Sequence, residues 1–484
     1  MKKRPYLFFL IPVLLVTLSL LQSACTKEIK EPGSDRAVLA PVAFGPNTLS
    51  GVLGTGHNVK DVMHLAAGIW HLNGLVYVDS ADVLIIDPGA VIQGDRSTDP
   101  LVPGGGLVIT RGARIMAQGT ETNPIIFTSA STTPVSGDWC GLIIIGNASS
   151  NDSARVRVDG VPVVAGQPDV TYGGSIGTND SDTSGVLKYV RIEYAGYELS
   201  VNNWINGLTL AGVGSGTVID FVEVFKTRAD AFQFLGGTVN ASHLLAIKPV
   251  DDLFDINTGY RGTIRYALGV ADTTRSDIST SNGIESDNNL TGSAALPVTH
   301  PVFKRITVVG LPNVARATFD DGAPSGVGRY GRAAHLRRNT EFEIDSSIFL
   351  GYNFGLSLDD ALGNTSLKYR NGISLVRNTF VHAFFTGTTP AGISPYITEV
   401  NGNPVTGANF HLTTPAEFYN VAIAAANNNR AYVNANPNGN IMLTSPFSSC
   451  SASSFLPVIL SPARQYGAFP NAVNWITGTW ARFC

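Results

Sequence analysis

Asp230 and Asp252 are the residues of this sequence whose type and spacing best suit chemistry. Each opens the same short phrase: Asp230-Ala231-Phe232-Gln233-Phe234 recurs as Asp252-Leu253-Phe254-Asp255-Ile256, an offset of 252 − 230 = 22 residues. In a parallel coil that repeats at this interval, equivalent residues stack about 4.8 Å apart. Two carboxylates held so close repel, which raises one pKa or calls for a cation. The pair therefore offers either a proton donor or a calcium-type site. Alternation, however, places both aspartates on the side of Phe232 and Phe254, the inward side. An inward Asp at a strand start most often hydrogen-bonds a turn backbone, and buried polar groups normally find partners. That structural role is the preferred reading.

Other candidates are thinner. Asp180-Ser181-Asp182-Thr183-Ser184-Gly185 resembles the first half of a calcium loop, but the twelfth place, which needs Glu, holds Arg191. A solvated Asx-rich turn explains it more simply. His57, His64 and His71 are seven apart and would share a face on one helix, yet Gly68-Ile69-Trp70-His71-Leu72 leads into a strand, so they are not expected to meet. Gly212-Val213-Gly214-Ser215-Gly216 lacks the Lys and helix of a phosphate loop. Cys140 lies in an apolar turn and reads as an inert thiol.

The elements that must position these residues are short and strand-like. Leu75-Val76-Tyr77-Val78, Val83-Leu84-Ile85-Ile86, Leu107-Val108-Ile109, Pro124-Ile125-Ile126-Phe127 and Leu142-Ile143-Ile144-Ile145 are apolar runs separated by turn residues. A second repeat aligns Asp87-Pro88-Gly89-Ala90 with Thr110-Arg111-Gly112-Ala113, an offset of 112 − 89 = 23 between the glycines. A period in the low twenties is the mark of a β-solenoid. In that frame Phe232 stacks on Phe254 and Phe234 on Ile256. Val218 to Val224 reads as a strand alternating strictly, apolar at even positions except Asp220. Charged residues are 14 % of the chain, against about 25 % in ordinary soluble domains. The net charge of −4 gives nucleic acid no basic patch to bind.

Several phrases carry a family resemblance: Gly74-Leu75-Val76-Tyr77-Val78, Gly137-Asp138-Trp139-Cys140 to Gly146-Asn147-Ala148, Asp230-Ala231-Phe232 to Gly236-Gly237-Thr238-Val239-Asn240, and Asn474-Trp475 to Gly478-Thr479-Trp480. With these the chain resembles the right-handed parallel β-helix, pectin-lyase-like lipoproteins of Gram-negative envelopes, most without known activity. Cys140 stands where that family usually has Gly. The resemblance implies an all-β, single-stranded right-handed parallel β-helix over 49–484. Pectate-lyase-like helices bind calcium with acidic groups and use a nearby Arg or Lys as base; by that likeness Arg228, Arg261 and Asp255 join Asp230 and Asp252 as the enzyme candidates.

Residues 385–447 fit the repeat poorly and read as an insertion or cap. They hold one good helix, about 414–427, opened by the capping box Thr414-Pro415-Ala416-Glu417.

The first residues supply an address. Lys2, Lys3 and Arg4 precede the apolar run Tyr6 to Leu21, and Leu21-Gln22-Ser23-Ala24-Cys25 follows. This resembles a lipoprotein signal (1–24) with lipidation at Cys25 and a polar tether over 25–48, although Gln22 occupies the usual leucine place. An outer-membrane lipoprotein at the cell surface is expected. An exported chain is oxidised. With Cys25 lipidated and Cys140 buried, Cys450 and Cys484 are expected to form a disulfide. The sequence has no complete catalytic set, so the preferred reading is a lipid-anchored binding or scaffold module for glycans or an envelope partner. It needs no cofactor beyond a possible calcium ion. The alternative is a polysaccharide lyase or glycoside hydrolase on the same helix.

Overall fold

The structure is a computed structural model. It describes residues 47–484 apart from 55–59, 98–101, 175–176, 201–202, 319–327, 385–387, 390–391, 394, 401–402, 405–416 and 449. The signal, Cys25, nearly all of the tether and His57 lie outside the described residues. No helix among the described residues is long and apolar enough to cross a membrane.

The chain winds as a right-handed parallel β-helix with three faces per coil. The first face stacks Gly106–Ile109, Leu142–Ile145, Leu208–Ala211, Phe232–Leu235, Phe254–Asn257 and Ile284–Asp287, then Arg332–Arg337, Phe354–Asp359 and Tyr396–Val400. The other two faces are often one bent strand, as in Gly185–Glu193, Val218–Phe225, Ala241–Ile247 and Thr263–Val270. The bend is a single residue in the left-handed region: Tyr189, Phe221, His243 and Tyr266 have φ of +50°, +54°, +54° and +53°. Each such residue costs roughly 1–2 kcal/mol. Ring stacking offsets part of that cost, with centroids 4.5, 4.2 and 5.2 Å apart along the series. The bend also breaks the strict alternation expected from Val218 to Val224: Val218 is exposed, Ile219 points inward, and after Phe221 the inward residues are Val222 and Val224.

The predicted core stack is present. Phe232 pairs with Phe254 and Phe234 with Ile256, and the first two rings lie 5.6 Å apart and nearly parallel. The offset of 23 has a different meaning from the one expected. Ala90–Gly94 pairs with Gly68–Val78 and Ile125–Ser129, whereas Arg114–Gln118 pairs with Val83–Ile86. Gly89 and Gly112 thus begin strands on two different faces. They are two different corners of the winding, with the turn at 95–105 between them, not one corner in successive coils. The coil register there is longer, since Val83 faces Arg114, 31 residues on (114 − 83). Similar corners recur because each must turn the chain onto the next face in a few residues, and glycine meets the positive φ of +84° and +89° without strain.

Residues 385–447 prove to contain two more strands of the winding. Tyr396–Val400 adds to Phe354–Asp359, and Arg430–Val433 adds to Phe380–Ala383. The helix of this region is shorter than expected, Glu417–Ala422 followed by a 3-10 turn at Ala425–Asn427. Residues 414–416 of the predicted capping box lie outside the described residues. Phe418 and Ala422 are fully buried, with the Phe418 ring against Tyr369 and Tyr396 at 4.7 and 5.2 Å. The helix therefore caps the core. Two further short helices, Val314–Ala317 and Thr365–Arg370, had no clear sequence signal.

Beyond the last strand the chain turns back and runs along the outside of the third face. Ile441, Leu443, Phe455, Phe469, Trp480 and Phe483 cover Phe225, Leu245, Ile247, Leu268 and Leu350 there. Thr479 reaches Glu121 and Thr122 of an early coil. The expected disulfide Cys450–Cys484 closes this strap, with Cα atoms 5.3 Å apart.

Candidate functional site

Asp230 and Asp252 begin with the backbone. Asn206 Oδ1 accepts the N–H of Asp230 at 3.0 Å, Asp230 Oδ1 that of Asp252 at 3.1 Å, Asp252 Oδ1 that of Asn282 at 2.5 Å, and Asn282 Oδ1 that of Arg332 at 2.9 Å. One side-chain oxygen per coil thus serves the strand start of the next, the turn role expected for an inward Asp. The ladder uses Asn or Asp interchangeably, because it asks only for an acceptor. Asp251 lies beside the pair and accepts from the Ser279 hydroxyl at 3.0 Å. Burial, with the mutual repulsion of these acids, pushes Asp230, Asp251 and Asp252 well above the ordinary carboxylate range.

The chemistry of the molecule concentrates one strand-width away, on the outward side of the first face. One column of outward residues runs Tyr77, Val108, Ile143, Thr209, Gln233, Asp255, Glu285, His335, Ser357, Ile397. Its first members are apolar and packed beneath the excursion that includes Val158, Val161, Val170 and Tyr172. From Gln233 to Ser357 the column is polar, and Ile397 ends it. A neighbouring column on the same side runs Asp287, Arg337, Asp359, Glu399. Core residues alternate with both: Ile284, Ala334, Leu336, Leu356 and Leu358 all point inward.

The charges in this cleft hold one another. Arg337 spans Asp287 through Nε and Nη2 at 2.8 and 3.1 Å and also meets Glu285. Arg338 Nη1 donates to Asp287 at 2.8 Å. Arg332 grips Glu399 with both arms, at 2.9 and 2.6 Å. His335 Nε2 lies 3.2 Å from Asp359 Oδ2. Burial holds the imidazole below its ordinary range, against the pull of that hydrogen bond. Burial pushes Asp255 up to about 6, although the Gln233 amide donates to it. It pushes Glu285 up to about 7, against the charge of Arg337. A cavity of about 220 Å³ opens over this network, lined by Arg332, His335, Arg337, Arg338, Asp359, Ser279 and Leu362.

A solenoid of this winding, with its polar cleft on one face, has a counterpart among known families: the model of the pectate-lyase-like β-helix domain matches residues 56–408. The chain belongs to that family. Among curated proteins and among solved structures it has no match.

The enzyme candidates taken from the resemblance to pectate-lyase-like helices are only partly brought together. Asp230, Asp252 and Asp255 sit side by side at the start of adjoining strands. Arg228 is stacked over Trp204 and pairs with Glu198 at 3.8 Å. Arg261 follows the strand that Asp252 precedes, and there it bonds Asp180 at 2.7 Å and Ser149 at 3.1 Å. It is therefore a full strand away from the aspartate pair. Asp180 also accepts the N–H and hydroxyl of Ser149, while Asp182 accepts the N–H of Asn147 at 2.9 Å. The two carboxylates of the half-loop serve different partners. His64 meets Asp87 at 2.8 Å and His71 lies 3.7 Å from Asp95, on separate strands. Cys140 is buried, its thiol pushed far up by burial.

Sequence reasoning passed over Glu285, Asp287, Arg332, His335, Arg337, Arg338, Asp359 and Glu399. A signal was available. Ile284-Glu285-Ser286-Asp287, Ala334-His335-Leu336-Arg337, Leu356-Ser357-Leu358-Asp359 and Tyr396-Ile397-Thr398-Glu399 each alternate a core residue with an outward one. Ala334 and Leu356 keep the interval of 22, but spacings of 30 (254 to 284), 50 (284 to 334) and 40 (356 to 396) residues on either side hid the repeat, because long turns intervene.

Proposed function

We propose that this protein is exported, anchored in the outer membrane by a lipid on Cys25, and displayed at the cell surface, where its polar cleft binds glycans. The observation that carries the binding role is the ladder of outward polar residues from Gln233 to Glu399, most of whose side chains are held by hydrogen bonds and ion pairs before any ligand arrives. An extended ligand lying along the helix axis meets new side chains at every coil, about 4.8 Å apart. Preorganised groups lose little freedom on binding. An envelope protein with a polar extended segment is the other partner that fits such a face. The anchor is supported by the basic start, the apolar run and Ser23-Ala24-Cys25. Glycan-array binding by the purified protein, lost in Arg338→Ala and kept in a variant outside the cleft such as Arg261→Ala, tests the cleft. Retention of membrane association by Cys25→Ala would overturn the anchor.

A second reading, a polysaccharide lyase or glycoside hydrolase, is favoured by Asp255, a buried carboxyl at about 6 that can hold or release a proton near neutrality. Against it, the guanidiniums a lyase would use as base are engaged: Arg332 by Glu399, Arg337 by Asp287, Arg228 by Glu198 and Arg261 by Asp180. Release of unsaturated or reducing products from acidic or neutral polysaccharides, with or without calcium, abolished in folded Asp255→Asn, would establish the enzyme in place of the binding module.

A further inference from the structure

We infer that His335, Asp359 and Glu399 form a site for one divalent transition-metal ion of the zinc or manganese class, at the floor of the cleft.

The three residues come from consecutive coils and converge because the coils are in register. Arg337 faces Asp359, Asp359 faces Glu399, and His335 lies on the same outward side two residues before Arg337. Their potential ligand atoms all lie within 4.8 Å of one another. His335 Nε2 is 3.2 Å from Asp359 Oδ2 and 4.0 Å from Glu399 Oε2. Bonds of about 2.1 Å in a tetrahedron place neighbouring ligand atoms roughly 3.4 Å apart, so these separations fit an ion at the centre after small movements. The side chains are 8, 5 and 0 % exposed, so bulk water does not compete freely for them.

The surroundings supply the outer shell that metal ligands need. Glu285 Oε2 lies 4.0 Å from His335 Nδ1, on the far side of the ring. A shift of about 1 Å would let it accept the Nδ1 proton and leave the Nε2 lone pair for the ion. Arg332 fixes the plane of Glu399 through both oxygens. An Arg–carboxylate fork leaves lone pairs on each oxygen for a further partner.

A further observation points to something still to be bound. Ser357 is fully buried, and its hydroxyl has no hydrogen-bond partner among the described residues. It pairs with His335 in register, and its neighbours Leu356 and Leu358 point into the core, so it points into this site. A buried hydroxyl left unmet is destabilising, and a water on the ion would satisfy it. The donor set of one imidazole and two carboxylates selects a first-row transition ion over calcium, which takes oxygen alone. Three protein ligands beside an open cavity also leave a coordination position free, the arrangement of a reactive rather than a purely structural site.

Metal uptake is measured without any glycan, so it stands or falls apart from the binding reading. The full chain is stripped with chelator and dialysed against zinc, cobalt or calcium, and bound metal is counted by mass spectrometry. Stoichiometric zinc or cobalt is expected, with visible cobalt bands of low coordination number. Asp359→Asn and His335→Gln should weaken uptake by roughly tenfold to a hundredfold or more. The surface pairs His64–Asp87, His243–Asp220 and His300–Glu341 stay intact in both variants, so the difference reads this site. Absence of tightly held metal in the wild-type chain would overturn the site, a result that needs no variant to fold. So would equal uptake by wild type and the isosteric Asp359→Asn, or calcium competing on equal terms with zinc.

Discussion

The main-chain N–H of Arg482 donates to both oxygens of the Glu223 carboxylate, at 2.9 and 3.1 Å, across 259 residues of sequence. Glu223 is fully buried. Its contact ties the final turn of the chain to a coil in the middle of the helix. Arg191 extends the tie, with Nη1 on the carbonyls of Thr479 and Trp480. The strap is thus fastened by directed bonds as well as by its apolar face.

Removal of the Cys450–Cys484 disulfide should loosen that strap. In the chain-entropy model, closing the 34-residue separation contributes about 4 kcal/mol. The double variant Cys450→Ser, Cys484→Ser should lose up to that amount in urea unfolding. Trp475 and Trp480 should shift to the red in fluorescence as they meet water. Unchanged stability and fluorescence would show that the strap holds without its bond.

Phe254→Ala should destabilise by roughly 3–5 kcal/mol, as expected for a buried aromatic that leaves a cavity. The ring is 1 % exposed and stacked on Phe232. A loss under about 1 kcal/mol by denaturant titration would contradict the stack.

Asp252→Asn should flatten the dependence of stability on pH. Burial first, then the charges of Glu285, Asp251, Asp230 and Asp255, raise the carboxyl of Asp252 in the folded chain. The folded state therefore holds this proton more tightly than the unfolded state. Its stabilising share is complete at acid pH and is lost as pH rises through the folded value. Asn keeps the acceptor for the Asn282 N–H and removes the charge. From about pH 4 to 8 the variant should lose less stability than wild type, read from melting temperatures. A parallel pair of curves would refute the argument.

Asp180→Asn should act with the opposite sign. Burial disfavours the ionised form, but the Ser149 N–H and hydroxyl and the Arg261 guanidinium outweigh it and hold Asp180 below the ordinary range. The stability this provides is present above the unfolded value and lost as pH falls through the folded one. The side chain is half exposed, so the effect is small. The acid limb of the wild-type stability curve should be slightly steeper than that of the variant.

The core of the winding was legible because it rests on local pattern. Phe232 and Phe254 sit in matching phrases 22 residues apart, and equal phrases in a parallel coil must stack. The Asp230–Asp252 ladder was legible for the same reason. The Gly89 and Gly112 phrases misled because a three-faced coil makes similar corners within each turn, so likeness in sequence does not name the corner. The short helices at Val314–Ala317 and Thr365–Arg370 carry too few turns for a periodic signal.

By itself the sequence determined a parallel β-helix, an inward aromatic stack, backbone-serving aspartates and, through its cysteines, the Cys450–Cys484 bond. The first three follow from residue type and a short repeat, and the bond from setting aside Cys25 and Cys140 among four cysteines. Only the tertiary structure decided that Glu285, His335, Asp359 and Glu399 share one cleft, since turns of unequal length separate them along the chain and register alone brings them together. It also decided that Arg261 serves Asp180 rather than the aspartate pair, and that the C-terminal strap lies on the aromatic bends. Local pattern fixes which side a residue faces within its strand. Which residues meet across strands depends on how much chain each turn spends before the next strand docks, and no short repeat encodes that length.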